Sequence, residues 1–282
     1  MKAGLRSKPR IGLALGGGGA RGLAHIAVLE ALDDMGLRPA IIAGTSIGAV
    51  IGAAYAAGLS GARLRHHVLS LAADRPDVMA KLLKARVGRI SDLFVGRLSN
   101  PITIDSEIFL DHFWPQAVPD HFEDLEIPFM AIATDFTARR EALFQSGALA
   151  PAVAASMAIP GLIRPVVAEG MLLVDGGAVN PLPYNHLFGK ADIIIAVDVT
   201  GGPLEDSSKR PTAFQLMFGA AQIMAGSITA QMLKARAPDI LLKPPVEGFR
   251  VLDFFKAAQI LDAAAPIVAT LQSELDHLLV GA

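Results

Sequence analysis

The chain alternates short apolar runs with stretches of helical periodicity, and its first two alternations turn through glycine. Ile11-Gly12-Leu13-Ala14-Leu15 runs into Gly16-Gly17-Gly18-Gly19 and then an apolar helical stripe (Leu23, Ile26, Ala27, Leu29, Leu32) over 20–35, closed by Gly36. A second apolar run, 40–43, enters Gly44-Thr45-Ser46-Ile47-Gly48 and a small-residue helix over 47–57. Unbroken apolar runs suit strands buried on both faces, and their alternation with helices marks an α/β fold with parallel strands. Further strands are expected at 129–134, 141–145, 172–174, 193–199 and 240–242, and one closing helix over 252–279. Residues 60–120 interrupt the rhythm. They are helix-like, with Arg63, Arg65, Lys81, Lys84, Arg86 and Arg89 among leucines, and read as a helical insertion or cap, or as ordinary helical layers. The expected organisation is a basic tail over 1–10, a catalytic domain over 11–245 and a helical segment over 246–282 packed on it.

Charge narrows the function classes. Lys plus Arg number 25 against 27 Asp plus Glu, a net charge of -2, so the chain lacks the basic excess of an electrostatic nucleic-acid binder. It holds no cysteine, which rules out disulfides, thiolate nucleophiles and Cys-ligated zinc. The apolar run at 11–15 is too short for a secretory leader. Mean hydropathy is high, at +0.45. Residues 39–62 and 211–233 carry no charge and have the length of a membrane span. The first, with five glycines, reads better as a buried strand–turn–helix. The second, with Gln215, Gln222, Ser227, Thr229 and Gln231, reads as an amphipathic helix able to dock on a membrane, on a second subunit or on the domain itself.

Residues 17–22 formally match the dinucleotide pattern G-x-G-x-x-G, but no acidic residue ends the second strand, and no Lys-Ser/Thr follows for a P-loop. What remains is a turn exposing backbone N–H groups at a helix start, suited to a phosphate, a carboxylate or a transient oxyanion. Gly44 to Gly48 is G-x-S-x-G between a strand and a helix, the context of a nucleophile elbow. Ser46 is the candidate nucleophile, with the N–H of Ile47 facing a developing oxyanion. A serine needs a proton acceptor. Among the histidines, His25 lies in a helical stripe, His277 on a charged face, and His186 is the best placed. The other candidate is Asp175, at the end of a strand and followed by Gly176 and Gly177. With an ordinary pKa of about 4, an Asp serves as base only in a site that excludes water.

Together GGGGARG at 16–22, GTSIG at 44–48 and DGG at 175–177, with Ala155 to Gly161, Arg164-Pro165-Val166 and Asp175 to Pro183, resemble the patatin-like phospholipase family, its compact bacterial members in particular. The resemblance implies a three-layer α/β/α sandwich with a mostly parallel central sheet. It implies a Ser46–Asp175 dyad without a catalytic histidine, an oxyanion hole from Gly17, Gly18 and Gly19, and Arg21 anchoring that loop. Gly44, Gly48, Gly176 and Gly177 would support the two turns. The implied chemistry is hydrolysis of acyl esters in phospholipids, lysophospholipids or other lipids through an acyl-serine, with no metal and no cofactor. The expected setting is cytoplasmic, with peripheral contact at the inner membrane. A patatin-like fold kept for regulation or membrane association, with little turnover, is the alternative. The methionine- and leucine-rich stretches (Met79, Leu82, Leu83; Met217, Phe218, Met224, Met232) are candidates for an acyl channel. Oligomeric state and lid motion of 60–120 stay open.

Overall fold

The structure is a computed structural model and describes residues 9–84, 86–87, 103–202 and 213–280. The basic tail up to residue 8, Arg89 of the basic stretch and residues 211–212 of the uncharged segment lie outside the described residues.

In chain order the elements are β1 (Ile11–Leu15), α1 (His25–Asp34), β2 (Ile41–Thr45), α2 (Ile47–Ala56), α3 (Gly61–Ala73), α4 (Arg75–Lys84), β3 (Arg86–Val87), β4 (Thr103–Ile104), α5 (Ser106–Phe113), β5 (Phe129–Asp135) and β6 (Arg140–Phe144). Then follow α6 (Leu149–Ser156), β7 (Val166–Ala168), β8 (Met171–Asp175), β9 (Ile193–Val197), α7 (Ala213–Ala235), β10 (Ile240–Leu242), α8 (Ala257–Ala264) and α9 (Ile267–Val280). Strands β10, β9, β1, β2 and β5 lie side by side in that order, all parallel. Beyond them the sheet turns antiparallel, with β6 and β8 both pairing β5 and β7 pairing β8.

Side-chain alternation along the strands builds two cores of unequal depth. Leu13, Leu15, Ile42, Phe129, Ile195 and Val197 face the larger one, shared with α1, α2, α6, α8 and α9. Ala14, Ala43 and Ala196 face the other side, where these small residues admit Leu182, Tyr184 and Leu187, flanked by Met232 and Leu233 of α7. Helices therefore cover both faces of the sheet, giving the expected α/β/α sandwich.

Three local expectations differ from the structure. The helix read over 20–35 begins as a tight 3-10 turn, Gly19–Ala24, before α1 takes over. A strand pair, β7 with β8, stands where one strand was read, closed by Glu169 and Gly170, both with left-handed backbone. The closing helix is two helices bent by 46°. Pro266 separates them, since its ring removes an N–H and clashes with the preceding turn.

Candidate active site

The register of the sheet brings two distant residues face to face. Strand β5 gives one edge to β6, along residues 131–135. Its other edge is shared by β2, which ends at Thr45 opposite Ile132, and by the oppositely directed β8, which ends at Asp175 opposite Ala133. The two strands thus meet end to end, and the chain leaving each enters the same space. Ser46 follows Thr45, and its Oγ donates to Asp175 Oδ2 at 2.6 Å.

Ser46 occupies the N-cap of α2 with φ 56° and ψ −124°, in the left-handed half of backbone space, and its side chain caps nothing in the helix. Such a conformation costs a non-glycine residue about 1–3 kcal/mol and must be held by its surroundings. The Ser46 N–H donates to Ser156 Oγ at 2.9 Å, and the Ser156 hydroxyl donates to the Ile132 carbonyl at 2.6 Å. Close contact with β1 does the rest: a Cβ on Gly48 would come within 2.1 Å of the Leu15 carbonyl oxygen. Gly44 packs equally tightly under the first turn of α2. The hydroxyl is thereby left free of the helix and aimed at the carboxylate.

Asp175 is half-buried, and both its oxygens are engaged, Oδ2 by Ser46 and Oδ1 by the Gly177 N–H at 2.7 Å. Its carbonyl accepts from Thr134 Oγ1 at 2.9 Å. Gly176 turns the chain against β5, where a Cβ would stand 2.2 Å from the Ile132 oxygen. Burial raises the Asp175 pKa to about 6, against the opposing pull of the Ser46 and Gly177 hydrogen bonds. A carboxyl so tuned can exchange a proton near neutrality, which an ordinary Asp does poorly.

The glycine loop after β1 borders Ser46, with Gly17 lying against the serine Cβ. Gly16 N–H donates to Val197 O at 3.0 Å and Gly17 N–H to Pro181 O at 2.9 Å. Gly17 is therefore a correction to the expected oxyanion hole, because its donor is already spent on the chain beneath the loop. The N–H groups of Gly18, Gly19 and Ile47 have no hydrogen-bond partner among the described residues. Arg21 is buried and ties the loop to two other segments, through Nε to Val199 O and Nη1 to Phe249 O, both at 3.1 Å. Burial lowers its pKa, countered by Asp198.

The Asn180–Pro181 pair joins the three motifs. Asn180 O accepts from Thr45 Oγ1 at 2.8 Å, Asn180 N donates to Gly176 O at 2.9 Å, and Pro181 O holds Gly17. The Asn180 amide is fixed by Glu141 and Asn185, each at 2.9 Å.

His186 hydrogen-bonds Glu141 rather than Ser46. Burial alone would raise the Glu141 pKa, but the bonds from His186 and Asn180 outweigh it and hold the pKa below its ordinary range. His25 is wholly buried, donates Nε2 to Gly16 O at 2.8 Å and has its pKa pushed down to about 4 by burial. It is a neutral prop under the loop, and His277 lies exposed on α9. Ser156, Thr45, Thr134 and Asn180 were not singled out from the sequence. Thr45, Ser156 and Asn180 each lay within a run quoted for the resemblance, and Thr134 alone lay outside them.

A family model described as patatin-like phospholipase matches residues 13–188. An uncharacterized NTE family protein of Mycobacterium tuberculosis is 40% identical over 212 residues, covering 73% of this chain and 54% of that protein. Lysophospholipase nte1 of Aspergillus fumigatus is 30% identical over 285 residues, covering 89% of this chain and 17% of its own length. The chain thus spans about half of the first relative and less than a fifth of the second. Among solved structures, VipD from Legionella pneumophila is 13% identical, with a TM-score of 0.43, covering 92% of this chain and 67% of that one.

Proposed function

Since this chain belongs to the patatin-like phospholipase family, we propose that it hydrolyses carboxylic esters of lipids with Ser46 as nucleophile and Asp175 as its base. The 2.6 Å hydrogen bond from Ser46 Oγ to a carboxyl whose pKa is raised to about 6 carries this reading. In the first half-reaction Ser46 Oγ attacks the ester carbonyl and its proton passes to Asp175 Oδ2. The tetrahedral oxyanion accepts hydrogen bonds from the N–H groups of Gly18 and Gly19, with Ile47 N–H at the start of α2 as a further donor. Collapse expels the alcohol, which takes the proton from Asp175 and leaves an acyl ester on Ser46. Water then gives a proton to Asp175 and attacks that ester, and the returning proton restores Ser46 as the fatty acid leaves.

The family and the NTE and lysophospholipase relatives support a lipid ester as the substrate. We place phospholipids and lysophospholipids first among candidate substrates. Hydrolysis of p-nitrophenyl esters of increasing chain length tests the assignment, with Ser46→Ala, Asp175→Asn and His186→Ala beside the wild type. The first two substitutions are expected to lower kcat by about 10³-fold or more. His186→Ala is expected to stay within about threefold of wild type, because its partner Glu141 acts behind the site. A dead His186→Ala beside an active Asp175→Asn would overturn the dyad.

A further inference from the structure

The outer face of α7 is apolar where a helix on a water-exposed surface is normally polar. Leu216, Met217, Ile223 and Met224 are 58%, 56%, 72% and 60% exposed, and Ala220 continues the same stripe. The inner face is already used. Thr229 is buried, and Met232 and Leu233 pack beside Tyr184 and Leu187 on the second core. The helix is long and apolar enough to cross a bilayer, but its C-terminal part rests against the second core. It also borders the proposed catalytic centre. It runs along the turn Gly176–Ala178 that follows Asp175, and Met217 closes over Gly161 so tightly that a Cβ there would lie 3.2 Å from its methyl carbon.

Charge chooses the occupant. Between Asp206 and Asp239 the sequence holds no acidic residue and four cations, Lys209 and Arg210 before the helix and Lys234 and Arg236 at its end. A second copy seated on this face with its helix parallel would set the cationic C-terminal ends, with Lys234 and Arg236, against each other. An anionic lipid surface accepts both the apolar stripe and the flanking cations.

We propose that α7 is a membrane-docking helix, lying in the plane of an anionic bilayer and bringing the Ser46 site to lipid that it need not extract through water. The link to catalysis rests on the hydrolase reading above; the docking itself does not. The test is flotation of the intact chain with vesicles of equal parts phosphatidylcholine and phosphatidylglycerol, and with vesicles of phosphatidylcholine alone. Wild type and Ser46→Ala are expected to float with the anionic vesicles, and less with the neutral ones.

The double variant Ile223→Glu/Met224→Glu is expected to lose about tenfold or more of that partitioning. Because both side chains point to solvent, so that Met224 does not line the acyl channel for which the sequence made it a candidate, the variant should keep its circular dichroism, its melting temperature and its hydrolysis of soluble p-nitrophenyl butyrate, while losing hydrolysis of vesicle lipid. Flotation of the double variant like wild type overturns the proposal. So does a wild type that ignores vesicles, including one that light scattering shows to be a dimer split by the double substitution. A wild type that floats but cleaves no ester overturns the hydrolase reading and leaves the docking surface standing.

Discussion

In the proposed reaction Asp175 carries two demands that pull apart: it must lose a proton to accept one from Ser46, and its surroundings favour the neutral acid. Burial raises its pKa to about 6, while the hydrogen bonds from Ser46 and Gly177 restrain the rise. Only the carboxylate form can take the serine proton. The kcat/KM for a soluble ester is therefore expected to rise with pH, to reach half its plateau at about pH 6 and to be lost below it. A pH profile checks this, and His186→Ala should keep the same limb, since His186 serves Glu141. Ser46 and Asp175 were legible in the sequence because each sits in a turn that excludes side chains, and that exclusion is written as adjacent glycine. The role of Ser156 was not legible: it lay in the run Ala155 to Gly161, but a backbone N–H taken from 110 positions away leaves no local sign.

At the scale of elements, the elbow between β2 and α2 depends on α6. Ser156 closes that helix and bridges the Ser46 N–H to the Ile132 carbonyl of β5. Ser156→Ala is expected to leave both groups unpaired and to cost about 1–3 kcal/mol of stability per orphaned group, read from denaturant unfolding. Its kcat should fall while KM changes less, because the loss loosens the nucleophile more than the binding surface. The same scale shows what pattern reading could reach. Strands β1, β2, β5 and β9 and the helices that follow β1 and β2 were legible, because burial on both faces forces long apolar runs. Strand β8 was read at 172–174 and β7 was missed, since a three-residue strand carries too few residues for a period to show. The meeting of β8 with β2 on one edge of β5, which sets Ser46 against Asp175, is a matter of register between segments about 130 residues apart, and no local periodicity encodes it.

For the molecule as a whole, the family match ends at residue 188, yet the core does not. Strand β9 inserts between β1 and β10, and α8 and α9 pack against α1 and the turn that follows the glycine loop. Ile260, Leu261, Leu271 and Leu275 are all essentially buried. Exposing those four side chains costs about 6–12 kcal/mol, comparable to the whole stability of a typical domain. A chain ending at residue 250 is accordingly expected to be insoluble or unfolded, judged by its circular dichroism and melting. A soluble, cooperatively melting fragment would show the last segment to be an appendage.

The junction at Asn180 and Pro181 has a consequence for the life of the protein in a cell. During synthesis the nucleophile leaves the ribosome long before the residues that hold it, and the glycine loop waits longer still, for Val197 and Val251 to reach their places. A nascent or proteolytically clipped chain thus carries Ser46 and the glycine loop without the contacts that align them. On the hydrolase reading such a molecule is inert, and the site can assemble only once translation has passed Val251.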